Sequence, residues 1–310
     1  MKISEIIKSS KKPFPSVEIV PPMKGMTKGE LLDSVRNFME FSPKYINVTC
    51  HRDEVVFKEE ANGSYTRHIV KKRVSEVAVC SAIISEFDVD VVPHIICGGT
   101  SKDEIESALH DFRFLGIENI MALRGDSITG EKRFTAHPAG YSHADELVAG
   151  IREFERESPD GRRFCIGVGG YPEKHFEAAN IETDIANLKR KVDAGADYII
   201  TQMFFDNSVF YRFRDLCRKE GITVPIIPGL KPLSTSAQIS LLPQSFSLDI
   251  PVELTDAVKE ADGDKEAIYN IGIEWCIKQC KDLINNNVPA VHFYTMGKSR
   301  NIAAIMKECF

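Results

Sequence analysis

The chain has 310 residues, of which 43% are hydrophobic and 27% are charged, and its net charge is −6. This composition is typical of a folded globular protein and excludes a disordered chain. Charges of both signs are mixed along the sequence, so no basic stripe is present to bind nucleic acid or an anionic membrane. The N-terminal segment MKISEIIKSSKK is too charged for a secretory signal. No apolar run approaches the roughly 18–20 residues of a membrane helix. We therefore expect no membrane and no nucleic acid among the partners.

Eight cysteines are scattered along the chain without a C-x-x-C pair. Cys276 and Cys280 are four apart, with no second pair to complete a zinc site. This pattern predicts buried, reduced thiols in a cytoplasmic protein and no metal site. The tripeptide Arg124-Gly125-Asp126 is also a cell-adhesion signal in exported proteins, so an adhesion module is an alternative that requires export and an exposed loop.

Near-continuous runs of apolar residues recur along the chain and are typical of strands buried on both faces. They predict strands at 16–20, 45–49, 89–97, 119–123, 164–170, 198–204, 224–230 and 291–295. Apolar residues at helical spacing predict helices at 28–40, 66–87, 101–116, 144–157, 181–195 and 207–221. Residues 232–263 have few regular signals and are predicted to be the least regular part of the chain.

Alternation of strands with helices predicts an α/β fold, a (β/α)8 or TIM barrel, with residues 1–310 forming one domain. A doubly wound sheet is the alternative. It usually carries a glycine fingerprint after its first strand, and here that position reads EIVPPMKGM.

In such a barrel, functional residues gather at the carboxyl ends of the strands. The predicted strands carry polar residues at or near these ends: Glu18, Thr49, His94, Arg124-Gly125-Asp126, Tyr171 with His175, and Gln202.

Several of these polar residues have two interpretations. Glu18 lies between two aliphatic residues, where an unpaired carboxyl has a raised pKa and suits a general acid; a buried carboxylate paired with a lysine is the alternative. Asp126 is either a site residue or a turn or cap residue. His94 is either a site residue or a satisfied core histidine. Gln202 either bridges strands or contacts a ligand.

The helix predicted at 181–195 carries Asp184, Asn187 and Lys191 on one face, because they are spaced three and four apart. Arg190 flanks that face. A solvated, salt-bridged surface is one interpretation, and phosphate binding by Arg190 and Lys191 is the other.

Taken together, the motifs resemble those of the methylenetetrahydrofolate reductases. The segment from 187 to 206, NLKRKVDAGADYIITQMFFD, is the most specific of them. The others keep their order through most of the chain: VEIVPP, VTC, PHIIC, ALRGD, YPEKH, IIPGLKP and HFYT. The resemblance implies a barrel that binds FAD without a Rossmann motif. It implies reduction of 5,10-methylenetetrahydrofolate to 5-methyltetrahydrofolate by a reduced nicotinamide cofactor, in one-carbon metabolism and methionine synthesis.

The resemblance also implies residue roles. Glu18 falls on the general acid, Asp126 on a catalytic aspartate beside the flavin, and Gln202 on a pterin contact. The flavin-site positions are Thr49, His94, Arg124, Gly125, Asp126, His143, Ala144, Tyr171, His175, Asp184, Asn187, Arg190 and Lys191. The remaining substrate positions are Gln238 and Lys298, the latter in place of an arginine. His143 stands where the family often has tyrosine, and Leu242, with Phe246 nearby, stands where an aromatic that stacks on folate is expected.

The nicotinamide is NADH or NADPH, with NADH favoured by the resemblance alone, and the same resemblance predicts a homo-oligomer. Larger family members add a C-terminal domain that senses adenosylmethionine, and we expect none here because the chain stops at Phe310. A folate-binding barrel without flavin, such as a pterin methyltransferase, is the alternative enzyme.

Overall fold

A computed structural model describes residues 1–52, 54–126, 134–157, 161–297 and 299–310. Eight parallel strands close into a barrel, in the order β1-β10-β9-β8-β7-β6-β5-β2, and β3 pairs with β4 in a separate hairpin. The strands are β1 (Phe14–Ile19), β2 (Tyr45–Val48), β3 (Glu54–Glu59), β4 (Tyr65–Val70), β5 (Asp90–Ile96), β6 (Asn119–Leu123), β7 (Cys165–Gly170), β8 (Tyr198–Met203), β9 (Ile226–Leu230) and β10 (Ala290–Tyr294). The predicted (β/α)8 fold is confirmed.

Helices surround the barrel. In the described residues they are α1 (Ile3–Ser9), α2 (Lys28–Met39), α3 (Glu76–Ile84), α4 (Lys102–Phe114), α5 (Ala144–Arg156), α6 (Ile181–Asp193), α7 (Asn207–Lys219), α8 (Gln238–Phe246), α9 (Val252–Glu260), α10 (Lys265–Asn285) and α11 (Arg300–Cys309). Local sequence fixes some of their starts: α2 and α4 both begin with a capping box, in which Thr27 pairs with Glu30 and Ser101 with Glu104. Among the described residues, no helix is both long and apolar enough to span a bilayer.

The prediction of one helix over residues 66–87 was wrong. Residues 66–70 are strand β4 and not the start of a helix, and α3 covers only Glu76–Ile84 of the predicted 66–87. The β3–β4 hairpin lies largely exposed outside the barrel, so its side chains show no apolar alternation that would have marked it as a strand. Residues 232–263 contain α8 and α9, which are short helices of nine residues each, and α8 contains Pro243.

The barrel interior is filled by alternate residues of the strands, including Phe14, Tyr45 and Tyr198. Helix α1 closes the amino-terminal end, where Ile3 packs into this interior cluster and its backbone N–H donates to the side-chain oxygen of Asn119 at 2.8 Å. The opposite set of strand residues packs against the surrounding helices in one continuous apolar layer. One end of the barrel is therefore closed by apolar packing, and the carboxyl end carries the polar residues.

The interior packing makes a testable prediction at Gly167 on β7. A Cβ there would lie 2.4 Å from the ring of Tyr198, which is fully buried and faces Gly167 across the β7–β8 pair. We expect Gly167→Ala to lower the free energy of unfolding by about 1–3 kcal/mol, because the ring cannot move without displacing its neighbours. Urea unfolding followed by circular dichroism measures this.

The matched control for that variant is Gly29→Ala on the exposed face of α2, where the nearest atom to a new Cβ is 3.8 Å away. Alanine is a better helix former than glycine, so this change should be neutral or stabilising by up to about 1 kcal/mol. Equal stability of the Gly167→Ala variant and the wild type would contradict the packing described for the barrel interior.

The cysteines differ in burial. Six are buried, and Cys50 and Cys309 are half-buried. The predicted buried, reduced thiols are confirmed for those six.

Candidate active site

Glu18 lies near the carboxyl end of β1, between Asn47 of β2 and Tyr294 of β10 in the sheet register. Its side chain is 13% exposed. Burial raises the pKa of Glu18 to about 8, so the carboxyl is protonated at pH 7. No lysine in the described part of the chain pairs with Glu18. The alternative of a buried carboxylate paired with a lysine is therefore excluded for these residues. Glu18 is thus a neutral carboxylic acid in a buried position.

His94 on β5 lies close to Glu18, with 3.8 Å between its Nε2 and the Oε2 of Glu18. Burial lowers the pKa of His94 to about 3. Both side chains are therefore uncharged at pH 7, and their contact is not an ion pair. The Nε2 atom of His94 is also buried without a hydrogen-bond partner in the part of the chain that the structure describes, so His94 is not the satisfied core histidine considered above.

The Arg124-Gly125-Asp126 turn follows β6 and is held by the barrel. Arg124 forms an ion pair with Glu177, its guanidinium lies 4.8 Å from the ring centroid of Phe134, and its side chain is only 20% exposed. Gly125 has φ +83° and lies against Ile96, so a side chain there would be strained. The arginine is thus not presented on an exposed loop, which disfavours the adhesion interpretation. Asp126 is exposed at the end of this turn.

His51 lies between the groups that follow β2 and β6, because it contacts Thr49 and lies within electrostatic range of Asp126. The hydroxyl of Thr49 lies 2.9 Å from Nε2 of His51. The carboxylate of Asp126 lies within electrostatic range of both His51 and Tyr171. The turns after β2, β6 and β7 therefore share one polar surface.

The face of α6 predicted from its spacing packs against the end of β7. Asp184 is buried and accepts a hydrogen bond from the backbone N–H of His175 at 2.9 Å. The ammonium of Lys191 donates to the carbonyl of Gly169 at 2.7 Å. By contrast, Arg190 is 60% exposed and pairs with Asp145 at 3.3 Å. Only Arg190 fits the solvated-surface interpretation; Asn187 is half-buried on the same helix.

The environment of Lys191 suits an anion. Burial lowers the pKa of Lys191 to about 8, although Asp184 opposes the shift. The ring of Tyr171 lies 5.8 Å from the ammonium and contacts the ring of His175 edge-on at 4.7 Å. Burial also lowers the pKa of His175 to about 4, so this ring is neutral. A partly buried cation beside two uncharged aromatic rings can bind a phosphate and a flat ring system.

Gln202 on β8 lines a cleft whose other wall comes from the end of α8. The cleft is lined by Tyr171, Pro172, Glu173, Lys174, Gln202, Met203, Phe246, Ser247 and Leu248. Leu242, which stands at the expected folate-stacking aromatic, is buried in the cluster under α8 and α9. Phe246, one helical turn after Leu242, lines the cleft. The cleft therefore carries an aromatic ring, although the residue aligned with the folate-stacking aromatic is a leucine.

The remaining predicted residues lie around these elements. His143 is the N-cap residue of α5 and Ala144 is the first residue of that helix. Gln238 begins α8, and its side-chain oxygen accepts a hydrogen bond from the backbone N–H of Ser234 at 2.7 Å. Lys298 lies outside the described residues.

Sequence analysis missed Glu177 in the segment after β7 and assigned no role to Glu173 of the YPEKH motif. Glu177 pairs with Arg124, and Glu173 lines the Gln202 cleft. Glu177 lies two residues after the YPEKH motif, and the rule that polar residues follow barrel strands would have included it. Their partners, Arg124 and Asp249, lie in turns far away in sequence and could not be read from the motif.

The fold and the site together define a (β/α)8 barrel with a neutral, largely buried acid, a partly buried cation and a small polar cleft at the carboxyl ends of its strands. The chain belongs to the methylenetetrahydrofolate reductase family, whose sequence pattern matches residues 2–309.

Three similar proteins carry related names. The "5,10-methylenetetrahydrofolate reductase" of Buchnera aphidicola is 32% identical over 292 residues, which cover 94% of this chain and 90% of that protein. The "Probable methylenetetrahydrofolate reductase (NADPH)" of Caenorhabditis elegans is 31% identical over 96% of this chain. The "Methylenetetrahydrofolate reductase (NADH) 1" of Arabidopsis thaliana is 30% identical over 98% of it. The chain spans 42% of the nematode protein and 49% of the plant protein, less than half of each.

Solved structures agree on the fold. A Clostridium thermocellum protein described as binding two copies of 5-methyl-5,6,7,8-tetrahydrofolic acid superposes with a TM-score of 0.63 at 13% identity, covering 99% of this chain and 98% of that one. An oxaloacetate acetylhydrolase superposes with a TM-score of 0.52 at 8% identity, covering 99% of this chain and 83% of that one. At these identities the likeness concerns the barrel alone.

Proposed function

We propose that the chain catalyses the flavin-dependent reduction of 5,10-methylenetetrahydrofolate to 5-methyltetrahydrofolate, with NADH or NADPH as the electron donor. The observation that carries the proposal is Glu18, a carboxyl kept protonated by burial at the mouth of the barrel. Ring opening of methylenetetrahydrofolate needs a proton at its nitrogen 10, and a neutral acid at pH 7 can provide it. Family membership supports the choice of substrate. The cytoplasmic location and the homo-oligomer stay predictions.

The residues at the carboxyl ends of β5 to β7 fit FAD. Lys191 and Arg190 would hold the diphosphate, and the rings of Tyr171 and His175 would contact the flat parts of the cofactor. Gly125 at positive φ lets the backbone of the turn approach a ligand closely. The buried, unpartnered Nε2 of His94 is a further polar atom that a bound cofactor would satisfy. When bound, FAD supplies the hydride transfer between nicotinamide and folate.

Two carboxyl groups then divide the chemistry on the folate. Glu18, protonated, supports proton transfer to nitrogen 10, which opens the five-membered ring and leaves a cationic iminium at nitrogen 5. Asp126 lies exposed at the end of the β6 turn, and its carboxylate would stabilise that cation. Gln202 on the cleft would orient the pterin. Placing these groups before the reaction is the contribution of the protein.

Anaerobic reduction of the purified protein tests the proposal. We expect a yellow protein with flavin absorbance bands that bleach on addition of NADH or NADPH and return on addition of methylenetetrahydrofolate. Comparing the two nicotinamides at equal concentration identifies the donor. A protein purified without flavin that binds folate and does not take up FAD would instead support the flavin-free folate-binding barrel and contradict the proposal.

A further inference from the structure

Glu173, in the segment after β7, has two carboxylate oxygens in different situations. Oε2 accepts a hydrogen bond from the backbone N–H of Asp249, in the turn between α8 and α9, at 2.9 Å. Oε1 is buried and has no hydrogen-bond partner among the described residues. A buried acceptor without a donor is rare in folded proteins because desolvation is then not compensated. Glu173 also lines the Gln202 cleft, so a molecule in that cleft is a candidate donor.

The charges around Glu173 do not compensate the second oxygen. Burial raises the pKa of Glu173 to about 7, and the hydrogen bond from Asp249 acts in the opposite direction. Among the described residues, the charged side chains that act most strongly on Glu173 are Asp249 and Asp206, which are acidic, and Arg212, which is cationic. The adjacent ammonium of Lys174 donates to the carbonyls of His175 and Ala178. A ligand N–H in the cleft would supply the donor that Oε1 lacks.

Gln202 presents the complementary group on the same cleft. Its side-chain oxygen accepts a hydrogen bond from the backbone N–H of Met203 at 2.9 Å. Because the oxygen is used in that bond, the amide NH2 is the group with which Gln202 can donate to a ligand. The cleft thus combines a donor on Gln202 with an acceptor on Glu173. A cyclic amide, with its C=O next to its N–H, matches that pair.

We infer that Glu173 is a substrate-binding residue whose free carboxylate oxygen accepts an N–H of the pterin ring, while Gln202 donates to the ring carbonyl. The inference rests on the proposed function, since folate supplies the pterin amide. It assigns Glu173 a second role beside that of holding the turn between α8 and α9. The two roles use different oxygens, so substitutions separate them.

Glu173→Gln is the decisive variant. Its amide oxygen can still accept the N–H of Asp249, but the other position becomes an NH2 donor facing a ligand N–H. If the amide rotates, the NH2 instead faces the N–H of Asp249, so one donor pair is unsatisfied in either orientation. We expect binding of 5-methyltetrahydrofolate, measured by isothermal titration calorimetry on the FAD-loaded protein, to weaken roughly 10- to 100-fold. Glu182→Gln, an exposed neighbour at the start of α6, should bind like the wild type.

A second probe and a second variant complete the test. p-Aminobenzoylglutamate, which lacks the pterin, should bind Glu173→Gln and wild type equally. Glu173→Ala removes both oxygens and should weaken folate binding as well. If Glu173→Gln binds 5-methyltetrahydrofolate like the wild type while Glu173→Ala does not, Glu173 only holds the turn and the inference is overturned. If the wild type itself binds no folate, the proposed function fails first.

Discussion

Replacing Glu18 by glutamine is expected to slow the reoxidation of the reduced enzyme by methylenetetrahydrofolate by roughly 100- to 10,000-fold, the range typical of a lost general acid. Reduction by the nicotinamide should stay nearly unchanged, because that half-reaction needs no proton at nitrogen 10 of folate. Glutamine keeps the shape of the side chain and removes the acidic proton. Stopped-flow absorbance of the flavin measures the two half-reactions separately.

The control for this variant is Asp90→Asn. Asp90 lies at the opposite, amino-terminal end of the barrel, where it pairs with the chain terminus, and its loss should leave both half-reactions unchanged. Equal slowing of the two half-reactions in Glu18→Gln would indicate that Glu18 positions the flavin or supports the fold. No slowing of either would remove Glu18 as the acid.

The pH profile checks the same assignment without a mutation. Burial raises the pKa of Glu18 to about 8, so the acid form predominates below that pH and is lost above it. The rate of reoxidation by folate should therefore be level below about pH 8 and fall about tenfold per unit above it, until another step limits the rate. In Glu18→Gln this decline should disappear.

Loss of the two cations of α6 should have the second largest effect, on FAD affinity. Charge-assisted contacts to a diphosphate are worth about 1.5–3 kcal/mol each. Arg190→Ala combined with Lys191→Met should therefore raise the dissociation constant of FAD roughly 100- to 10,000-fold. Methionine keeps the apolar stem of Lys191, whose burial would otherwise be lost with the charge. Fluorescence of the flavin released on dilution to nanomolar protein measures the effect.

The structure ranks the two cations. Lys191 is partly buried, with its pKa lowered by burial, whereas Arg190 is 60% exposed and already pairs with Asp145. The Lys191→Met variant alone should hence account for the larger part of the loss, because an anion beside a desolvated ammonium is screened less by water. Lys189→Ala, on the same helix in an exposed pair with Asp193, is the matched control and should retain FAD. Full retention of FAD by the double variant would show that α6 does not bind the diphosphate.

Local patterns in the sequence were enough to predict the barrel fold. Strand β6 was predicted at 119–123 and spans Asn119–Leu123, because a run of apolar residues buried on both faces carries its own signal. The α6 face was found from spacing alone, and the polar strand ends were found from the rule for barrels. Glu18 followed in the same way, since a lone carboxyl between two aliphatic residues implies burial and a raised pKa.

Features that depend on distant parts of the chain came only from the tertiary structure. The β3–β4 hairpin is defined by pairing between two strands that bury little apolar surface, and its sequence fits helical spacing as well. Contact between Glu173 and Asp249 joins residues 76 apart, and the place of Phe246 on the cleft depends on how α8 packs. The packing of α6 against β7 likewise decides that Lys191 is desolvated and that its neighbour Arg190 is not. Periodicity reports the burial of a residue by its own element, whereas partners, clefts and the desolvation of individual charges arise when elements far apart in sequence come together.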